Sequence, residues 1–98
     1  MRFAVIGIDH RHIYHMISGL IDAGATCAGF DPATTDTRVL EGLRERFPGL
    51  AEVADRRAFL EDASIDLIIT AAVPAERAGI AIAAMRHGKD VMADKPGI

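Results

Sequence analysis

Phe3-Ala4-Val5-Ile6-Gly7-Ile8 is an unbroken apolar run, and Asp9-His10-Arg11-His12 ends it with four polar residues. Apolar side chains at every position, not every second one, suit a strand buried on both faces of a parallel sheet. Beyond the polar turn, Ile13, Met16, Ile17, Leu20 and Ile21 recur at helical spacing, and Gly24 stands where a helix closes on a left-handed residue. Ala25 to Phe30 is a second apolar run, stopped by Asp31-Pro32, because proline cannot donate to a sheet ladder. Strand, turn, helix and strand in that order make a βαβ unit, and the rest of the chain extends it.

Thr34-Thr35-Asp36-Thr37 offers N-cap residues for a helix carrying Val39, Leu40, Leu43 and Phe47 on one side, with Pro48-Gly49 to end it. Ala51 to Ala54 is read as a short third strand. Asp55 caps a brief helix containing Phe59 and Leu60, and Ile65 to Ala72 is the next strong strand. After Pro74, Ala75 to His87 forms an alanine-rich helix with Ile80, Ala83, Ala84 and Met85 as its inner face. Gly88 ends that helix, and Val91 to Ala93 is a fifth strand. Alternating strands and helices imply an α/β fold: a doubly wound parallel sheet, Rossmann-like, with order 3-2-1-4-5 and helices on both faces. Composition does not shift along the chain, so residues 1–98 form one domain.

Half of the 98 residues are apolar, which allows a modest core. A net charge of −3 without any basic run argues against a nucleic-acid surface. The first apolar run is too short for a signal peptide, and no stretch approaches the roughly 20 residues of a membrane span. Cys27 is the single cysteine, which excludes a disulfide framework. A cytoplasmic protein with neither a nucleic-acid nor a membrane partner is expected.

Ligands of open parallel sheets bind at the carboxyl ends of the strands. In a dinucleotide turn, three glycines serve a tight bend, close approach of the pyrophosphate and helix–strand packing. Gly7 fills the first position, but Asp9 and His12 occupy the second and third. Asp31 lies about 20 residues further on, where an acid hydrogen-bonds the ribose hydroxyls of NAD and repels the 2′-phosphate of NADP; Asp-Pro is also ordinary turn chemistry. His10, Arg11 and His12 can present donors near a helix N-terminus, which attracts anions. His10, His12 and His15 do not share one helix face, so no metal site is expected. Lys95, one of two lysines against nine arginines, sits in Asp94-Lys95-Pro96 after the last strand. It suits a proton donor or cofactor clamp, and equally an exposed strand-end lysine.

Together these segments resemble the Gfo/Idh/MocA family, the glucose–fructose oxidoreductase and myo-inositol dehydrogenase-like enzymes. The opening strand with Gly7, Asp31, Ile65-Asp66 and above all the block from Ala83 to Pro96 carry the resemblance. In the family that block is an alanine-rich helix, Gly-Lys-His-Val, a strand and Glu-Lys-Pro; here aspartate replaces the glutamate. The first turn, Gly-x-Asp-His-x-His, resembles that of a divergent branch.

The resemblance implies NAD as cofactor, with NADP disfavoured, and a sugar, polyol or related small molecule as substrate. It places Lys95 beside nicotinamide and substrate as the catalytic residue of this part. Gly7, Asp9, His10, Arg11, His12, Asp31, Ala72, Pro74, Arg77, Asp94, Lys95 and Pro96 are the implied cofactor contacts. Val73 and Arg77 stand where the family often has threonine and histidine. Residues 1–98 would then be a truncated N-terminal dinucleotide-binding part without its substrate domain, inactive alone and homo-oligomeric when complete. Asp9 and His12 keep a second reading open, a non-catalytic Rossmann-like domain binding a small ligand or a partner.

Overall fold

In a computed structural model, which describes residues 1–93, the opening run becomes strand β1 (Arg2–Val5), and its side chains feed two separate cores. Successive strand residues face opposite sides of a sheet. Phe3 and Val5 therefore join one cluster, with Ile13 and Ile17 of helix α1 (Ile13–Asp22) and Val39 and Leu43 of helix α2 (Thr37–Arg46). Ala4 and Ile6 join the other, with Phe59 and Leu60 of helix α3 (Arg56–Leu60) and Ile80 and Ala84 of helix α4 (Pro74–Arg86). Each fully buried large side chain contributes about 1.5–3 kcal/mol of transfer free energy. Both faces of the central strands are covered, as the unbroken apolar runs require.

Strands β2 (Thr26–Phe30), β3 (Leu67–Thr70) and β4 (Asp90–Ala93) complete an all-parallel sheet of order β2-β1-β3-β4. The expected five-strand order 3-2-1-4-5 is not confirmed: among the described residues four strands form, in the order 2-1-4-5 of that numbering, with the expected third strand missing. Ala51 to Ala54 makes only a single parallel bridge, Glu52 with Phe30, outside any strand. That segment buries no residue fully, Val53 being its one half-buried side chain, and Asp55 begins capping α3 at once. A strand needs a face to bury, and this segment brings only Val53 against the core. Gly29 permits even this contact: at φ +143° its added Cβ would lie 2.6 Å from the Ala51 carbonyl oxygen. Pairing of β1 with β2 slips by one residue between Phe3↔Cys27 and Val5↔Phe30, a bulge beside that glycine.

Local signals set the helix ends. Gly24 follows α1 at φ +97°, as a left-handed closing residue should. Asp36 and Asp55 each accept backbone N–H groups at the starts of α2 and α3, and Pro74 takes the first position of α4. Met85 departs from its expected inward position and is 59% exposed. The inner stripe of α4 runs through Ile80 and Ala84 at i, i+4, and the next residue turns about 100° away from it. Lys89 is 6% exposed, and its Nζ donates to the carbonyls of Asp62 (2.6 Å) and Ile65 (2.7 Å). This pins the amino end of β4 to the loop before β3. No helix among the described residues is long and apolar enough to cross a membrane.

Candidate functional site

The loops leaving β1, β2 and β3 meet at the carboxyl ends of their strands, around the point where chain order reverses between β1 and β3. Gly7 is the pivot. Its N–H neighbour Ile6 donates to Ile69 O (3.0 Å), and its own carbonyl accepts from Ala71 N–H (2.8 Å), so the β1–β3 ladder runs into the turn. At φ +94°, an added Cβ would lie 2.6 Å from both Ala72 Cβ and Thr70 Oγ1. The first glycine is thus demanded by the protein's own packing. Thr70 is fully buried, and its Oγ1 accepts from Ala72 N–H (3.1 Å).

Asp9 joins the two other loops. Its Oδ1 accepts from Thr34 Oγ1 (2.7 Å) in the loop after β2, and its Oδ2 accepts from Val73 N–H (3.1 Å) just before α4. A carboxylate at the second glycine position therefore acts as a latch across the cleft. His10 and His12 follow on the exposed side of the turn. His10 Nδ1 accepts from His12 N–H (3.1 Å), and the rings pack edge to face with centroids 4.2 Å apart. His12 is the N-cap of α1, whose first turn carries no acid. Arg11 and His12 line a basic hollow of about 370 Å³ with Tyr14, His15 and Arg46. Tyr14 donates to Val39 O (2.9 Å), with the Arg46 guanidinium 4.4 Å from its ring centroid; burial raises its phenol pKa.

Asp31 ends β2 and is 2% exposed. Its Oδ1 accepts from Ala33 N–H (3.0 Å), and its Oδ2 takes both Nε and Nη2 of Arg56 at 3.3 Å. Arg56 was legible in sequence only as a helix residue following a cap, and nothing 25 positions from Asp31 signalled the pair. Ala72 is buried, and its carbonyl accepts from Arg77 Nε (3.3 Å) and Nη2 (3.1 Å), so Arg77 folds back to brace the loop after β3. Pro74 opens α4 directly after that loop. Asp94, Lys95 and Pro96 lie outside the described residues. The last described residue of β4, Ala93, pairs with Thr70 at the same end of the sheet.

A cavity of about 330 Å³ lies among these loops, lined by Gly7, Asp9, Thr34, Arg56, Val73 and Glu76 with Ala33 and Thr35. A second cavity of about 300 Å³ shares Arg56 and Glu76 with it and is otherwise walled by Ile6, Leu60, Ile80 and small residues of α4. A polar cleft continuous with an apolar slot, at a switch point, can hold a ligand with a charged middle and a flat apolar end.

No family model and no curated protein matches the chain. Among solved structures, a "putative oxidoreductase" from Erwinia carotovora atroseptica matches all of it at 40% identity and TM-score 0.88. The chain matches Gfo/Idh/MocA-like N-terminal Rossmann domains. This Rossmann domain has the same fold as part of an NAD-binding protein from Listeria innocua (21% identity, TM-score 0.73, 97% of this chain). It also shares that fold with UDP-N-acetylglucosamine 3-dehydrogenase from Acidithiobacillus ferrooxidans (20% identity, TM-score 0.70, 98% of this chain). It spans 29%, 27% and 28% of those three chains respectively.

Proposed function

We propose that this chain is the cofactor-binding part of a cytoplasmic NAD(P)-dependent oxidoreductase acting on a sugar, polyol or related small molecule. The observation that carries the reading is the cleft at the switch point, with Gly7 at its floor and the Asp31–Arg56 pair at the end of β2. The donor set fits a dinucleotide. Gly7 lets backbone approach backbone, the start of α1 is free of acids, and Arg56 and Thr34 reach the cleft surface. Asp9 and Glu76 are the adverse charges in the lining, and two donors already engage Asp9.

The bound nicotinamide would supply hydride chemistry; the protein supplies orientation and electrostatics. In this reading the α1 N-terminus and the His10-Arg11-His12 turn face the pyrophosphate, and the slot beside Ile80 excludes water from the adenine. Asp31, through the Arg56 it holds, sets the charge at the ribose end and favours NAD over NADP. Ala72 and Pro74 shape the loop over the cofactor, and Arg77 holds it. Resemblance assigns Lys95, with Asp94 and Pro96, to proton handling at the reacting carbon. Turnover would require substrate-holding residues beyond the 98 of this chain, because reacting groups must be positioned together.

Calorimetric titration with NADH and NADPH tests the reading. Saturable NADH binding is expected, with NADPH weaker; no binding of either at millimolar concentration overturns it. Asp9 in place of the second glycine favours one alternative, a non-catalytic domain whose cleft takes a different small ligand or a partner. That alternative gains if neither dinucleotide binds while the fold is intact by circular dichroism.

A further inference from the structure

We propose that Arg56 is a specificity-determining residue of the cleft, set between the buried Asp31 carboxylate and the ribose 2′ position so that it tolerates a 2′-phosphate. The inference rests on the cleft being a dinucleotide site and concerns which dinucleotide it admits.

An acid at the end of the second strand selects NAD by accepting hydrogen bonds from the ribose hydroxyls, and its charge repels a phosphate there. That requires the carboxylate to reach the ligand. Asp31 does not line the cleft. It is 2% exposed, one oxygen is occupied by Ala33 N–H, and the other is covered by Nε and Nη2 of Arg56. The cationic side chain that lines both the polar cleft and the apolar slot is Arg56, 41% exposed; Glu76 lines both as well.

A guanidinium has five N–H donors. Two face Asp31, and three remain for a ligand. The group is planar and permanently charged, and it matches phosphate oxygens in pairs. Asp31 partly neutralises it, and the Asp9 and Glu76 carboxylates line the same cleft. The result is a shallow preference: the acids favour the unphosphorylated ribose, and Arg56 keeps the phosphorylated one within range. Removing Arg56 deepens the preference for NAD. Removing the charge of Asp31 reverses it.

The test uses 5′-AMP and adenosine 2′,5′-bisphosphate beside NADH and NADPH, since the two small nucleotides report the ribose end without the pyrophosphate. Arg56→Gln keeps an amide donor for Asp31, and Asp31→Asn keeps an acceptor for Arg56. The wild type is expected to discriminate between the two small nucleotides by no more than about tenfold. Arg56→Gln should lose about tenfold or more for the bisphosphate and little for AMP, the size expected for a charge-assisted pair. Asp31→Asn should shift the ratio toward the bisphosphate. Equal losses for both ligands in a folded Arg56→Gln, or an unchanged ratio in both variants, overturn the inference while NADH binding keeps the dinucleotide reading. Should Arg56→Gln fail to fold, Asp31→Asn alone decides: no gain for the bisphosphate refutes the proposal. Absence of all four ligands from the wild type sinks both readings together.

Discussion

Asp9→Ala separates what the carboxylate does for the fold from what it does to a ligand. The side chain accepts from Thr34 Oγ1 at 2.7 Å and from Val73 N–H at 3.1 Å, joining loops that leave different strands. A hydrogen bond to a charged group contributes about 1.5–3 kcal/mol when well shielded. Asp9 is only half-buried, so about 1 kcal/mol for each bond is the more suitable figure. Loss of about 2 kcal/mol in a domain of this size lowers Tm by roughly 8–16 °C. The local consequence is sharper. Val73 N–H loses its acceptor, and its exchange with deuterium should accelerate while amides of β1 and β3 stay protected. In the proposed dinucleotide site, the same substitution removes a negative charge from the place a pyrophosphate would approach. Two unit charges about 4 Å apart repel by about 1 kcal/mol in water and about 4 kcal/mol near a protein surface. The lower end alone corresponds to a several-fold gain in dinucleotide affinity. A weaker but tighter-binding variant is the expected outcome, read by thermal melting, amide exchange and NADH calorimetry. Unchanged Val73 exchange refutes the latch. A loss of NADH affinity with the fold intact would show that Asp9 serves the ligand instead of opposing it.

Three further outcomes follow from the same geometry. Gly7→Ala meets Ala72 Cβ and Thr70 Oγ1 at 2.6 Å in a left-handed backbone; roughly 1–2 kcal/mol of backbone cost adds to about 1–3 kcal/mol of overpacking, measured by urea denaturation. Lys89→Met leaves the Asp62 and Ile65 carbonyls without their donor, and about 3 kcal/mol of stability should be lost by the same method; a neutral result would mean that water replaces the ammonium. Burial, opposed by the Gly29 carbonyl contact and by Arg2, raises the Cys27 pKa. The folded value lies above the unfolded one, so the contribution to stability is complete below the ordinary thiol range of about 8.5 and is lost as pH rises through the folded value. Slow alkylation at pH 7, and a stability advantage over Cys27→Ala that shrinks at alkaline pH, are the expected readings.

The sheet was legible where side chains are buried on both faces, and illegible where pairing rests on backbone alone. Phe3 to Ile8 and Ile65 to Ala72 announce central strands because every residue must be apolar there, and β1 and β3 lie side by side at the centre. Ala51 to Ala54 reads like a strand too, but its contact with β2 depends on Gly29 and on a bulge, neither of which alternation of side chains can report. Caps were legible because Asp36, Asp55, Pro74 and Gly24 act within a few residues of themselves. Met85 was misplaced because an alanine-rich helix has little contrast between its faces.

The candidate site divides along the same line. Gly7 and Asp31 were readable from position alone, yet their partners Thr70, Ala72 and Arg56 were not, since each contact spans more than 20 residues. Position also failed to tell what each glycine of the dinucleotide turn is for. The structure pulls those purposes apart. Gly7 is required by contact with Thr70 and Ala72, whatever binds. The second position faces other loops, and there a carboxylate finds two donors and ties the cleft together. The third position is exposed at the cap of α1, with Ile13 taking the buried place beside it, so His12 meets no packing limit. A turn with one glycine of three can therefore keep the Rossmann geometry entire. In the proposed dinucleotide site, what it would change is the chemistry offered to the phosphates: close backbone approach would give way to side chains of Asp9, His10, Arg11 and His12, whose net effect would be set by whether the Asp9 latch stays closed.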